Sequence, residues 1–324
     1  MALKNNKTSA DHAPGCPFTQ VPTSNIAPSA ESGHSPTRIR LGGHVALHSE
    51  FQSESKGIAR QISRSSAISS PHRNGLLSML MSLAELAELG VYCPARPVPL
   101  GDQYAALRHA ASRFVLHPGI PLDHVLDTRI SAARLVRMAK RLREMAGFGE
   151  SRRYGLLMDV IKSTSSRRLI TEDGAEMDFF GNAEALHGRR APLLTLATVT
   201  TEKANSGYYQ LGKAAYIPVL SPHHLFPVVD DLDRETVNEV FALMRWLHAK
   251  KQIQATASRD IFQAGAGYGM LIRSGGQLVE VDLNPSILDG PAPRETVLSL
   301  SAMGSIETLK KRLIVMLIKG KSGE

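Results

Sequence analysis

Glu280 and Asp282 stand two residues apart in a run, Leu278 to Leu283, that alternates apolar and polar side chains. Carboxylates at that spacing share one face of a strand. One of them can orient a sugar hydroxyl while the other stabilises an oxocarbenium-like centre. Arg273 precedes the Ser274-Gly275-Gly276-Gln277 turn and would sit on the facing strand of the same hairpin, able to bind an anionic group. Ser163-Thr164-Ser165 offers hydroxyls, and with Arg167-Arg168 behind it reads as a loop.

A second cluster is cationic. Residues 128–155 hold Arg129, Arg134, Arg137, Lys140, Arg141, Arg143, Arg152 and Arg153 against Glu144 and Glu150. On a helix, Arg134, Arg137 and Arg141 fall on one face, where they could meet consecutive phosphates. The plainer use of such a face is solvation, with the long stems covering apolar surface. No aromatic residues alternate with these arginines, which disfavours base stacking, and no helix-turn-helix, zinc-finger or RNA-binding signature accompanies them.

Other residue sets read as structural. Gly265-Ala-Gly267-Tyr-Gly269 leads into a strand, whereas a dinucleotide loop follows a strand and opens a helix. His223-His224, near Asp230 and Asp231, lie on an extended path set by Pro222 and Pro227, so the two rings point opposite ways and no metal site is expected. Cys16 and Cys93 have no activating neighbour, and two cysteines make no disulfide scaffold. No residue set names a cofactor, and the choice between enzyme and adaptor stays open.

Elements that position these groups follow from periodicity. Leu76 to Leu89 reads as a helix with Leu76, Leu80, Leu83 and Ala87 on one stripe and Gly90 as its stop. Asp102 would cap a second helix running to about Val115, Ser131 to Ala146 forms a third, and Tyr154 to Lys162 a fourth. Leu193 to Thr201 and Tyr208 to Leu220 read as strands. Asp233 to Lys250 is a helix with Val237, Phe241, Met244 and Leu247 inward, and Ser305 to Lys319 closes the pattern. The expected class is α+β: a helical N-terminal half (76–165) packed with a small antiparallel sheet and a long helix in the C-terminal half (190–324).

The chain has 324 residues, 43% of them hydrophobic, and no apolar run long enough for a membrane span. Its net charge of +8 favours acidic partners. Residues 1–75 carry +4 of that charge with 13 Ser, 6 Pro and only 4 acidic residues, a composition too poor in apolar contacts to offset ordering entropy. The expectation is a disordered leader. It lacks the apolar core of a secretory signal, and its Ser- and Arg-rich, acid-poor make-up also admits an organelle transit peptide.

Two resemblances carry functional implications. An arginine, a Ser-Thr-Ser step at 163–165 and a paired-acid strand at Glu280 and Asp282 are similar to the mono-ADP-ribosyltransferases, which implies a catalytic role for the two acids. The second acid here is Asp, and more than 100 residues separate it from the Ser-Thr-Ser step. The leader resembles those of bacterial type III secreted effectors. The layout of residues 207–283, "NSGYYQLG…VFALMRWLHAKK…GAGYGMLIRSGG", is similar to the HopPsyA/HrmA class of effectors. That resemblance implies a virulence or avirulence effector delivered into a eukaryotic host cell, with a host protein as target and an export chaperone on the leader. The alternative is a basic cytoplasmic nucleic-acid-binding protein serving plasmid or phage replication or regulation.

Overall fold

The structure, a computed structural model, describes residues 37–41, 45–49, 75–117, 119–145, 153–165, 167–186, 189–201, 208–259, 261, 269–275, 277–282, 297–299 and 303–319. Helices and mixed sheets make it an α+β protein, organised around two apolar cores. Of residues 1–75, it describes Gly75 and two strands, β1 (Thr37–Leu41) and β2 (Val45–Ser49), which pair with each other. The expected leader otherwise lies outside the described residues.

α1 (Gly75–Leu86) buries Leu76, Leu77, Met79, Leu80, Met81, Leu83 and Ala84, more than a single stripe, and so behaves as a core helix. Its stop differs from expectation. Glu88 takes the left-handed conformation (φ 54°), and Leu89 N donates back to Ala84 O at 3.0 Å. Gly90 is required for a different reason: a Cβ there would lie 2.3 Å from the carbonyl oxygen of Arg259.

β3 (Val91–Tyr92) follows, then α2 (Leu100–Ala111), which starts after Pro99 with Asp102 in its first turn instead of at the cap. It ends before Val115 because β4 (Phe114–His117) pairs with β2 and with β5 (Ile120–Pro121). A 3-10 helix, Leu122–Val125, and the short β6 (Leu126–Asp127) lead to α3 (Ala132–Glu144). Ser131 caps α3, accepting from Arg134 N.

The expected helix at Tyr154 to Lys162 is a strand, β7 (Gly155–Thr164). It is paired along both edges, by β11 (Leu193–Thr201) on one side and by β6 and β8 (Arg168–Thr171) on the other. Both faces are covered, so its apolar run is nearly continuous and shows no period of two. Ser163 and Thr164 end this strand; they are not in a loop. Segment 76–165 is therefore only partly helical.

β8 continues into β9 (Glu176–Asp178), and β10 (Ala183–Ala185) runs parallel to β12 (Tyr209–Ser221), which pairs with β11 and with β13 (His224–Pro227). Between β9 and β10 the backbone stays on β12: Phe180 N donates to Leu211 O at 3.1 Å and Gly181 N to Gly212 O at 3.0 Å. Strand pairing thus closes on itself through β7, β8, β9–β10, β12 and β11. Together with α1 and α3 this ring encloses the first core.

The second core lies between a five-stranded sheet and two helices, α4 (Asp231–Lys251) and α5 (Ile306–Lys319). Its strand order is β17 (Val297–Ser299), β16 (Gln277–Asp282), β15 (Met270–Ser274), β14 (Thr256–Ser258), β3. All pairings are antiparallel except β16 with β17. Met270, Ile272, Val279 and Val281 face inward onto Val237, Phe241, Met244 and Leu313, as the alternation of the hairpin required. Among the described residues no helix is long and apolar enough to cross a membrane.

Candidate functional site

Three segments border a cleft of about 480 Å3. It is lined by Arg108 of α2, Asp123 and His124 of the 3-10 helix, Leu126, Asp127 and Thr128, and Arg134, Arg141 and Met145 of the α3 segment. Leu122, Val125 and Leu126 are buried and β6 is held against β7 in parallel register, Leu126 to Leu156 and Asp127 to Leu157. Burial of these apolar residues leaves His124 exposed and Asp123 and Asp127 half-buried on the other side.

α3 is set close to the sheet. Met138, Ala139 and Leu142 are buried, and a Cβ at Gly155 would approach Met138 Cγ and Sδ to 2.6 Å. With its apolar face fixed, the helix presents Arg134 and Arg141, about two turns apart, to the cleft. Arg134 Nη1 donates to Asp127 Oδ2 at 3.1 Å, and Arg141 Nη1 donates to the His124 carbonyl at 2.9 Å. Arg153 Nη1 donates to the carbonyls of Leu142 at 2.8 Å and Arg143 at 2.6 Å and so closes the C-terminal end of α3.

The lead-in to α3 is held from behind by Asp159 of β7. Its Oδ2 accepts from Ile130 N at 3.0 Å, and its Oδ1 accepts from Tyr104 Oη and Val160 N, both at 2.9 Å. Asp159 lies where β6 has ended and β8 has not begun, so Val160 N has no strand partner on that side. Burial pushes the Asp159 carboxyl above its ordinary range despite these three donors, and burial beside that carboxylate pushes the Tyr104 phenol up as well.

Of the residues expected to bind or catalyse, Arg134 and Arg141 share this cleft. Arg137 is exposed outside it and makes no hydrogen bond or ion pair among the described residues. Arg273, Glu280 and Asp282 belong to the other sheet. The register Arg273 to Leu278 and Leu271 to Glu280 puts Arg273 and Glu280 on the outer face of the hairpin, with Arg273 exposed and Glu280 half-buried. Asp282 pairs with Ser299 in β17. Thr164 Oγ1 bonds Tyr216 Oη at 3.1 Å, within the first core region and not with the acid pair.

His223 is exposed while His224 tilts against Tyr92 and Phe241, with ring centroids 5.5 and 5.6 Å away. Asp230 caps α4 and Asp231 pairs with Arg190 and Arg234, so the two acids are occupied elsewhere. Cys93 is a free, half-buried thiol. Cys16, Gly265 and Gly267 lie outside the described residues.

Sequence reasoning missed Asp123, Asp127, Asp159 and Arg108. Only Asp159 had a visible signal, as a single carboxylate inside the apolar run Leu156-Leu-Met-Asp-Val-Ile161.

Residues 44–219, more than half of the sequence, match a family described as a domain of unknown function, DUF8535. The chain belongs to that family. No curated protein and no solved structure matches it. The DUF8535 region contains the whole cleft, Asp159 and all of the ring of strands but the last two residues of β12, and it leaves out Arg273, Glu280 and Asp282.

Proposed function

We propose that this DUF8535 protein is a binding module that seats a phosphate-bearing ligand in the cleft between the 3-10 helix and α3. The observation that carries the reading is the convergence of Arg108, Arg134 and Arg141, from two helices, on one concave site of about 480 Å3. Guanidinium groups offer five donors each in a planar fork suited to phosphate oxygens. Arg134 and Arg141 each make one side-chain hydrogen bond as donor through the guanidinium among the described residues, which leaves donors for a ligand. Such a volume is that of a small-molecule site. A duplex backbone is less well served, because Arg137 stands outside the cleft that Arg134 and Arg141 line.

The test is a calorimetric titration of the full chain with a panel of phosphate monoesters, including glycerol phosphate, phosphoserine and ribose 5-phosphate. At least one should bind, and Arg108→Ala and Arg141→Ala should each weaken it about tenfold or more, with affinity falling as salt is added. Absence of binding across the panel, or affinities that ignore both substitutions, would overturn the reading.

Delivery is a separate proposal. The Ser-rich, acid-poor composition of residues 1–75 supports export by a type III apparatus into a host cell, where the module would meet a host ligand or protein. A reporter fused to residues 1–75 should leave the cell through that apparatus; retention of the reporter would remove the proposal.

A further inference from the structure

Resting on the phosphate-binding reading, we infer that the cleft selects a hydroxyl-bearing phosphate, a phosphorylated sugar unit, over a bare phosphate anion. The inference comes from the acids that line the cleft beside the arginines. A site made only for a compact anion gains nothing from carboxylates, which repel it. Here Asp123 and Asp127 both line the cleft.

Their oxygens are incompletely used. Asp127 places Oδ2 on Arg134 at 3.1 Å, and Oδ1 has no hydrogen-bond partner among the described residues. Asp123 Oδ1 is buried and has no partner among the described residues either. A carboxylate oxygen accepts and cannot donate, so what completes this lining must bring donors. Sugar hydroxyls next to a phosphate supply them: the phosphate meets Arg108 and Arg141 while adjacent hydroxyls meet the acids. Thr128 adds a hydroxyl of its own to the lining, and the buried Leu126 gives the floor an apolar patch for the carbon face of a sugar ring.

Discrimination should be large, because a site built to bond a hydroxyl leaves its own polar groups unpaired when the hydroxyl is missing. Inorganic phosphate, 2-deoxyribose 5-phosphate, ribose 5-phosphate and adenosine monophosphate, titrated into the full chain, form the test. Ribose 5-phosphate should bind about tenfold or more tighter than inorganic phosphate. Asp127→Asn should shrink that gap, weakening ribose 5-phosphate more than inorganic phosphate; Asp123→Asn, checked for folding by circular dichroism, should do the same.

Equal affinity for inorganic phosphate and ribose 5-phosphate would overturn this inference and leave the phosphate-binding reading standing. No binding of any of the four would overturn this inference, and no binding of glycerol phosphate or phosphoserine as well would bring down both. A further gain for adenosine monophosphate over ribose 5-phosphate supports the inference with a nucleotide as the source of the sugar phosphate. Equality of those two supports it with a free sugar phosphate as the source.

Discussion

The two cores treat buried charge in opposite ways. In the second, Arg259 and Asp233 form an ion pair that is almost fully removed from solvent, with side-chain exposures of 0% and 4%. Arg259 Nη1 and Nη2 reach Asp233 Oδ2 and Oδ1 at 2.6 and 2.7 Å, Arg259 Nη1 also donates to Pro227 O, and Asp233 accepts from Val229 N. Both partners are spent on holding the start of α4 against the exits of β13 and β14. In the first, Arg134 and Asp127 pair once, at 35% and 13% exposure, and leave further donors and one carboxylate oxygen toward a cleft. Charges committed to each other in the interior fasten a fold; charges only partly used around a concavity are what a ligand can complete.

The largest effect that could break this contrast is at Arg259. Arg259→Met leaves Asp233 buried without its cation and should cost about 3–5 kcal/mol in urea unfolding. Ligand affinity in the cleft should survive, because neither residue of the pair lines the cleft. A loss below about 1 kcal/mol would mean that the pair does not fasten the fold.

How much of this was legible beforehand differs between the two cores. In the second, α4 and the β15–β16 hairpin follow directly from Val237, Phe241, Met244 and Leu247 at helical spacing and from Val279 and Val281 at strand spacing. Each has one buried and one wet face, so burial leaves a period in the sequence. β7 is covered on both faces, and its apolar run looked helical. The basic face of α3 was visible from Arg134, Arg137 and Arg141, but not that Arg137 would stand apart. Asp123 and Asp127 acquire their place from the parallel pairing of β6 with β7, a contact between segments about thirty residues apart that no local pattern records.

A middle-sized effect sharpens the first core. Gly155→Ala puts a methyl against Met138 and should cost about 1–3 kcal/mol, toward the lower figure because the methionine side chain can yield. It should also weaken ligand binding by shifting α3, which a stability change alone in the second core would not do. Unfolding midpoints and titrations of the same sample read both quantities. Tyr104→Phe is expected to be milder, about 1 kcal/mol, by removing the hydroxyl that bonds Asp159 and Val160 N.

The smallest effects have opposite signs in the two cores. Burial raises Asp159 above its ordinary 3.8, so the folded chain keeps a proton that the unfolded chain has lost, and this group's contribution to stability falls as pH rises through that window. His224 is lowered below its ordinary 6.5, first by burial and then by the nearby Arg245 charge. There the unfolded chain binds the proton more readily, so stability falls as pH drops below about 6.5. Asp159→Asn should flatten the first slope and His224→Gln the second, each leaving the other in place; denaturant midpoints measured from pH 4 to pH 8 would show it.

The central claim is that the three cleft arginines, and not the outer hairpin, meet the ligand. Its most direct test is nitrogen NMR of the arginine side chains during a titration with ribose 5-phosphate. Saturable shifts at Arg108, Arg134 and Arg141, with Arg259 and Arg273 unmoved, are the predicted result. Shifts confined to Arg273 or Arg137, or none at any arginine, would contradict it.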